Sequence, residues 1–241
     1  MIKHKLTIAV LFFSLNLIAQ ENLLYEKNLP AYNSYFSEEF GIDFNIPEGF
    51  TSMEKYFVMW KVRKNNDKHT GSMYGPLFLS RDKNCLIMYP SFPTYVSKDK
   101  MEINNDMKLP LNPRSQIKVE IETALGMYYY HAHPLNSNAI KFDFNEYVTV
   151  LSGKKVREMF NADSLYIYDI PGAESVFFID ESLEKLRKRK YPKCTGFVVV
   201  KNARAVLDFK FFFTEEGEKN KEEYCKKLGK YVWFDENFEH E

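Results

Sequence analysis

Residues 195–213 read TGFVVVKNARAVLDFKFFF, two apolar runs on either side of a short polar stretch. The runs 195–201 and 205–213 are rich in β-branched and aromatic residues, which favour strands. Three residues, 202–204, separate the runs and suffice for a tight turn. Side chains alternate along the second run, with Phe209, Phe211 and Phe213 on one face and Asp208, Lys210 and Phe212 on the other. The pattern predicts an antiparallel hairpin in a sheet that is covered on both faces.

A helix signal follows the hairpin directly. Thr214 is a good N-cap, and Glu215 and Glu216 place negative charge in the first turn. Lys226 and Lys227 fall in the last turn, and a glycine at 229 stops the pattern. We therefore predict one helix over 215–228, followed by a short strand at 231–234. Its inner face is predicted to carry Lys221, Tyr224, Cys225 and Leu228.

Earlier in the chain, strand signals come as hairpins more often than as strand–helix–strand units. Strands are predicted at 42–46, 56–62, 77–79, 86–89 and 165–168. The polar stretch 64–72 and the proline-containing stretch 90–112 are predicted loops, and 20–40 is a polar and aromatic lead. Hairpins of this kind indicate a mostly antiparallel sheet.

Two more helices are predicted between the strands. The first begins at Pro113 with Asn112 as its cap, since proline suits the first turn. Its buried stripe is Ile117, Ile121, Ala124, Leu125 and Tyr128. The second covers 154–161, with Ser152 as a possible cap. Its inward side chains are Val156, Met159 and Phe160.

Length and composition fit a single folded domain. The chain has 241 residues, of which 45% are hydrophobic, with 33 basic and 33 acidic side chains and 3 cysteines. Those values exclude a disulfide-rich miniprotein and a disordered chain. The zero net charge also excludes a generally basic nucleic-acid binder. We predict one α+β domain over 20–241, with a mostly antiparallel sheet and helices packed on it.

The predicted order of elements resembles a known fold group. Residues 44–50 read FNIPEGF, and hairpins, a middle helix and a late hairpin–helix–strand unit follow. This order is similar to the Mog1/PsbP-like α/β/α sandwich, over about residues 42–234. The resemblance implies a binding or assembly protein. The group shares no catalytic motif, so no site residue is transferred from it.

The N-terminus has the features of an export signal. Lys3 and Lys5 precede 14 uncharged residues, 6–19, which are too few for a membrane-spanning helix. Ala19 is small and a polar segment follows, so we expect a signal peptide over 1–19 with cleavage after Ala19. The alternative is a buried N-terminal helix. Lysine exceeds arginine and asparagine is frequent, which suggests a bacterial source. We expect a periplasmic or extracellular protein that is not a lipoprotein and has no transmembrane segment.

Export permits disulfides, and the chain beyond residue 19 has three cysteines. Cys85 lies in an apolar run and is predicted to be a buried free thiol. Cys194 and Cys225 are the candidate disulfide. The alternative is that all three are reduced.

His131 and His133 form the most specific candidate site in the sequence. On an extended segment the two imidazoles of an H-x-H pair lie on the same side, where they can share a metal ion. Asp143, Glu146 or a distant carboxylate would complete the site. The alternative is a polar helix exit, since three tyrosines precede the pair and a proline follows it.

One basic run stands out between residues 181 and 193. It is a candidate surface for an anion or a protein partner, and its residues are Lys185, Arg187, Lys188, Arg189 and Lys190. Acidic neighbours at 180, 181 and 184 favour the alternative, a solvated helix end.

The aromatic residues suggest either carbohydrate stacking or a core. The candidates are Trp60, the tyrosines 128–130, Tyr168, the phenylalanines 211–213 and Trp233, and strand spacing favours the core. Known nucleophile, zinc-protease and nucleotide-binding motifs are missing from the sequence. The leading hypothesis is therefore a non-catalytic binding or accessory module of the bacterial envelope. The alternatives are a metal-assisted hydrolase that uses the H-x-H pair and an envelope-assembly or adhesion component.

Overall fold

The structure is a computed structural model, and it describes most of the chain from residue 29 onward. The described residues are 29–53, 58–64, 68–90, 113–124, 143–170, 176–178, 191–202 and 204–239. The predicted signal peptide, the H-x-H pair and the basic run lie outside these ranges. None of the described helices has the length and apolar composition of a membrane-spanning helix.

The described part of the chain contains eleven strands and six helices. The strands are β1 (Ile42–Phe44), β2 (Phe50–Ser52), β3 (Val58–Lys64), β4 (Lys68–Ser80), β5 (Cys85–Pro90), β6 (Val148–Ser152), β7 (Ser164–Asp169), β8 (Val176–Phe178), β9 (Lys193–Lys201), β10 (Ala205–Phe213) and β11 (Val232–Phe234). The helices are α1 (Leu29–Phe40), α2 (Pro113–Ala124), α3 (Phe144–Tyr147), α4 (Lys154–Phe160), α5 (Glu215–Lys219) and α6 (Lys221–Leu228).

Nine of these strands form one sheet in the order β6-β7-β9-β10-β5-β4-β3-β8, with β2 paired to β4. Strands β1 and β11 form a separate pair. All the ladders between these strands are antiparallel. The predicted α+β class with a mostly antiparallel sheet is confirmed.

The hairpin predicted from residues 195–213 lies inside the large sheet. β9 and β10 pair from Ala205 opposite Lys201 to Phe213 opposite Lys193, and each has a further strand on its outer side. The alternation in β10 is also confirmed. Phe209, Phe211 and Phe213 belong to one core, and Phe212 belongs to the other. We call the side of the sheet that carries Phe209, Phe211 and Phe213 the first face and its core the first core. The side that carries Phe212 is the second face, and its core is the second core.

Helices cover both faces. Buried residues of α1, α4 and α6, together with the β1–β11 pair, complete the first core. On the second face Ile117 and Ile121 of α2 are buried against the sheet, as their spacing predicted. The sheet therefore lies between two layers, and each layer has its own core.

Helix α1 was not predicted. Leu29, Tyr32, Phe36 and Phe40 lie on its packed side, and their spacing of three and four residues is helical. Pro30 lies in the first turn, where a missing N–H costs nothing. The Tyr32 hydroxyl donates a hydrogen bond to the Pro90 carbonyl at 2.6 Å. The label of a polar and aromatic lead for 20–40 was therefore wrong over residues 29–40.

Two other boundaries differ from the prediction. Residues 68–72 of the predicted loop 64–72 belong to a strand, because β4 begins at Lys68 and pairs with β3. Backbone pairing within a hairpin continues the strands even where the side chains are polar. The predicted helix 215–228 is two helices, because Asn220 leaves the helical conformation with φ −111 and ψ 16. Thr214 caps the first of them by accepting a bond from the Gly217 N–H at 2.9 Å.

The proposed Cys194–Cys225 disulfide is wrong. All three cysteines are free and buried in the structure. Cys194 belongs to the second core, whereas Cys225 on α6 belongs to the first. The sheet lies between the two sulfur atoms, so they cannot meet without unfolding. The prediction of a buried free thiol at Cys85 is confirmed.

Candidate functional site

Among the described residues, the first face is open at one end of the sheet, and a groove lies there. It is bounded by β6, β7 and β9 and by helices α4 and α6, and its volume is about 490 Å³. That volume matches the size of pockets that take small molecules. Met159 of α4 and Cys225 of α6 line the groove on the helical side, and Leu151, Leu165 and Phe197 line it on the side of the sheet.

The floor of the groove is apolar. Leu165 and Phe197 are buried, while Leu151, Met159 and Ile167 are half-buried and pack against the first core. Leu165 lies opposite Leu151 on β6, and Ile167 lies opposite Phe197 on β9. Strand register therefore brings side chains from three strands together into one apolar surface.

A polar triad closes one end of the groove. The hydroxyl of Thr195 donates to Asp169 Oδ1 at 2.6 Å. The ammonium of Lys221 donates to Asp169 Oδ2 at 2.9 Å and to Oδ1 at 3.2 Å. Asp169 ends β7 and Thr195 lies opposite it on β9, while Lys221 begins α6. The carboxylate is thus held by two donors and keeps a partly exposed edge toward the groove.

The rim is charged and balanced. Three basic and three acidic side chains line the groove, namely Lys155, Lys221, Lys226, Glu146, Asp169 and Glu222. Lys226 pairs with Glu222 at 3.7 Å. The charges of the described rim residues therefore balance, in contrast to sites that bind strongly charged ligands.

Cys225 lines the groove close to the triad, one turn of α6 after Lys221. Burial raises the pKa of Cys225 to about 12, although Lys221 acts in the opposite direction. The side chain is therefore a neutral thiol at physiological pH. A thiol in this state behaves as a small apolar group and is a poor nucleophile.

The second face holds a different polar cluster, sealed beneath α2. The Lys210 ammonium is fully buried and lies 3.3 Å from Glu120 Oε2. It also bonds Asp208, and it donates to the Tyr168 hydroxyl at 3.0 Å. The Tyr168 hydroxyl in turn donates to Glu120. These contacts tie α2 to strands β7 and β10.

Burial raises the pKa of Glu120, while Lys210 and the Tyr168 hydroxyl act to lower it. Gly196 makes room for this cluster on β9, between Tyr168 and Lys210 in register. A Cβ at this position would lie 2.2 Å from Tyr168 Cζ. The tyrosine ring therefore rests directly on the backbone of β9, and this sealed cluster is structural in character.

Most of the site residues predicted from the sequence lie outside the described residues. His131, His133 and the basic residues 185–190 lie outside the described residues, so both hypotheses stay predictions. Asp143 caps α3 by accepting the Asn145 N–H at 2.9 Å, and Glu146 lies on the groove rim. Across the described ranges, no group of three or more His, Cys, Asp or Glu side chains is placed to hold a metal ion.

The aromatic candidates that the structure describes are mainly core residues. The phenylalanines 211–213 are fully buried, and Tyr168 is 2% exposed. A sugar therefore cannot stack on them. Trp233 is 36% exposed and remains accessible.

The sequence contained two signals for the sites that were missed. Lys221 fell on the predicted inner face of its helix, where a charged residue indicates a buried or paired role. Asp208 and Lys210 interrupt a run of apolar residues that is buried on both faces. Each of these was a charged residue at a position where the pattern requires an apolar one.

Comparison with known proteins gives no relative. No family model, no curated protein and no solved structure matches the chain. The resemblance to the Mog1/PsbP-like sandwich therefore stays a prediction, and the functional argument depends on the geometry of the groove.

Proposed function

We propose that this protein is a non-catalytic binding module of the bacterial envelope, and that the groove on the first face binds a small ligand. The groove carries the proposal. It combines a volume of about 490 Å³ with an apolar floor and a few polar groups at one end. This combination is typical of small-molecule sites, where apolar walls supply affinity and polar groups fix orientation.

The ligand is expected to be amphipathic and to carry no net charge. Its apolar body would cover the floor formed by β6, β7 and β9. Its polar end would meet the Thr195 hydroxyl and the Asp169 carboxylate, which are already joined at 2.6 Å. The balanced rim gives no attraction to a strongly anionic or cationic molecule.

The chemistry of the groove supports binding more than turnover. Cys225 is a neutral thiol because burial raises its pKa to about 12. The Asp169 carboxylate is bonded to Thr195 and Lys221, and its side chain is 62% exposed. This carboxylate already accepts hydrogen bonds from two protein donors, an arrangement that suits holding one end of the groove. Export through residues 1–19 is part of the same proposal.

Fluorescence of Nile red, a neutral apolar dye, tests the proposal. The purified protein is expected to bind the dye with a blue-shifted emission and a dissociation constant of about 1–100 µM. The variant Thr149→Arg places a long charged side chain over the floor and is expected to weaken binding at least tenfold. Thr149 is exposed and lines the groove, so the substitution disturbs no core.

Ser152→Arg is the matched control. Ser152 is exposed on the same strand but does not line the groove, so the same charge is added without blocking it. Equal loss of dye binding in the two variants, or no binding by the original protein, would contradict the proposal. Far-UV circular dichroism of both variants excludes unfolding as the cause.

A further inference from the structure

Strand β6 is the last strand of the large sheet in the part of the chain that the structure describes. In the described part of the chain it pairs with β7 on one side and with no strand on the other. Its five residues, VTVLS, contain no charged residue and no proline. Natural edge strands usually carry such residues, because an unprotected edge recruits another strand. The open backbone groups of β6 therefore suit a partner that is itself an extended strand.

We propose that the partner is a second copy of this chain, paired antiparallel along β6 about a two-fold axis at Val150. Val150 is the middle residue of the strand. A two-fold axis there places Val148 opposite Ser152 of the second copy and Val150 opposite itself. All five residues are then paired, so the strand matches its own copy without an overhang. This inference is independent of the ligand that the groove binds.

The side chain at the axis fits such an interface. Val150 is 41% exposed, the largest value among the exposed large hydrophobic residues of the described chain. On the second face it lies opposite the half-buried Tyr166 of β7. Two copies would bring two valines together beside two tyrosines. Pairs of β-branched and aromatic residues across strands are among the stabilising ones.

Charge at the two ends of β6 selects the antiparallel arrangement. Asp143 and Glu146 lie just before the strand, and both are exposed. Helix α4 begins just after it and carries three basic side chains, Lys154, Lys155 and Arg157, against one acidic side chain, Glu158. An antiparallel pair places the acidic end of each copy beside the basic end of the other. A parallel pair would place like charges together.

The expected dimer is weak. A five-residue ladder with the ends of two short helices buries less surface than a standard stable interface, which covers about 1,600 Å². We therefore expect a dissociation constant of about 10–100 µM. Dimerisation in this range responds to protein concentration and to salt, since part of the attraction is between exposed charges.

Sedimentation equilibrium of the full chain over about 1–300 µM tests the proposal. The original protein is expected to pass from monomer to dimer across this range. Val150→Lys opposes two like charges at the axis and is expected to raise the dissociation constant at least tenfold. Val150→Thr keeps a β-branched side chain and is the control, with a change of less than about threefold.

A charge exchange gives a second test that does not depend on Val150. Glu146→Lys alone and Lys154→Glu alone are each expected to weaken the dimer about threefold to tenfold. The double variant reverses the charge at both positions and is expected to recover most of the affinity. Both positions are exposed, and thermal melts of all variants establish that they fold.

A chain that stays monomeric up to the highest concentration overturns the proposal, and the edge would then suit an extended segment of another protein instead. A dimer that is unaffected by Val150→Lys also overturns it, because the contact would then lie elsewhere. Nile red binding by Val150→Lys reports separately on the groove, since Val150 does not line it.

Discussion

Two lysine–carboxylate clusters lie on opposite faces of the same sheet, and they differ in how much of each is exposed to solvent. On the second face, the Lys210 ammonium is fully buried, and Glu120 is 8% exposed by its side chain. On the first face, Lys221 and Asp169 form a pair whose side chains are 36% and 62% exposed. The same chemical groups thus hold a helix in place on one side and line an accessible groove on the other.

The difference follows from what covers each face. Helix α2 covers the second cluster, and its Ile117 and Ile121 exclude water around Glu120. No described helix covers the centre of β6 and β7 on the first face, so Asp169 keeps an open side. A buried charge that loses its partner is costly, whereas an exposed pair contributes little to stability. Stability measurements therefore distinguish the buried cluster from the exposed pair in the groove.

Removing the buried ammonium is expected to have the largest effect. Lys210→Met leaves the buried Glu120 carboxylate without the ammonium of Lys210, and we expect a loss of about 3–5 kcal/mol in the free energy of unfolding. Urea denaturation followed by circular dichroism measures it. Lys219→Met breaks an exposed pair with Glu216 and is the control, with no measurable change in midpoint. A Lys210→Met midpoint equal to that of the original protein would show that the cluster does not hold α2.

The Cys225 thiol extends the comparison, because it lines the groove on the open face and is nevertheless buried. Because burial raises the pKa of Cys225 to about 12, its thiolate fraction at pH 8 is about a thousandfold below that of an ordinary cysteine. Alkylation by iodoacetamide in the native protein should be correspondingly slow and should rise about tenfold per pH unit. Mass spectrometry of digested protein measures it. Rapid labelling of Cys225 at pH 8 in the folded protein would contradict this assignment.

The glycine beneath the tyrosine is expected to have the next largest effect. Gly196→Ala forces the Tyr168 ring away from β9, because the new Cβ would lie 2.2 Å from Cζ. We expect a loss of about 1–3 kcal/mol, and urea denaturation measures it. The same substitution in a Tyr168→Ala background should cost much less, since the ring is absent. An equal loss in the free energy of unfolding in both backgrounds would show that the new Cβ clashes with a group other than Tyr168.

Breaking the exposed pair of Asp169 and Lys221 is expected to have the smallest effect on stability. It is expected to change which charged dyes bind in the groove. Asp169→Asn should change the free energy of unfolding by about 1 kcal/mol or less. It removes one negative charge from a balanced rim, so an anionic dye such as 1-anilinonaphthalene-8-sulfonate should bind about threefold more tightly, and salt should reduce the gain. Glu158→Gln removes a charge outside the groove and is the control. A larger gain in the control would place the dye elsewhere.

Local patterns predicted the hairpins and the cores, but not the clusters. The alternation of Phe209, Phe211 and Phe213 was enough to place two faces on β10, because strand geometry fixes it. The pairing of Lys210 with Glu120 spans 90 positions and depends on how α2 lies on the sheet, which no local pattern encodes. The same holds for the triad, since Asp169, Thr195 and Lys221 come from three elements. Helix α1 was missed although its apolar spacing is helical, because Asn33, Ser34 and Ser37 between the apolar positions have low helix propensity and are typical of a polar lead.

The most direct test of the central claim is a map of the amide resonances that a neutral ligand perturbs. The protein, labelled with ¹⁵N, is titrated with 3-phenyl-1-propanol, a soluble aromatic alcohol without charge. We expect saturable shifts concentrated on the amides of Thr149, Ile167 and Thr195, with little change at Leu86 and Ile121, whose side chains belong to the second core. Shifts centred on the second face, or none at all, would contradict the claim that the groove is the binding site.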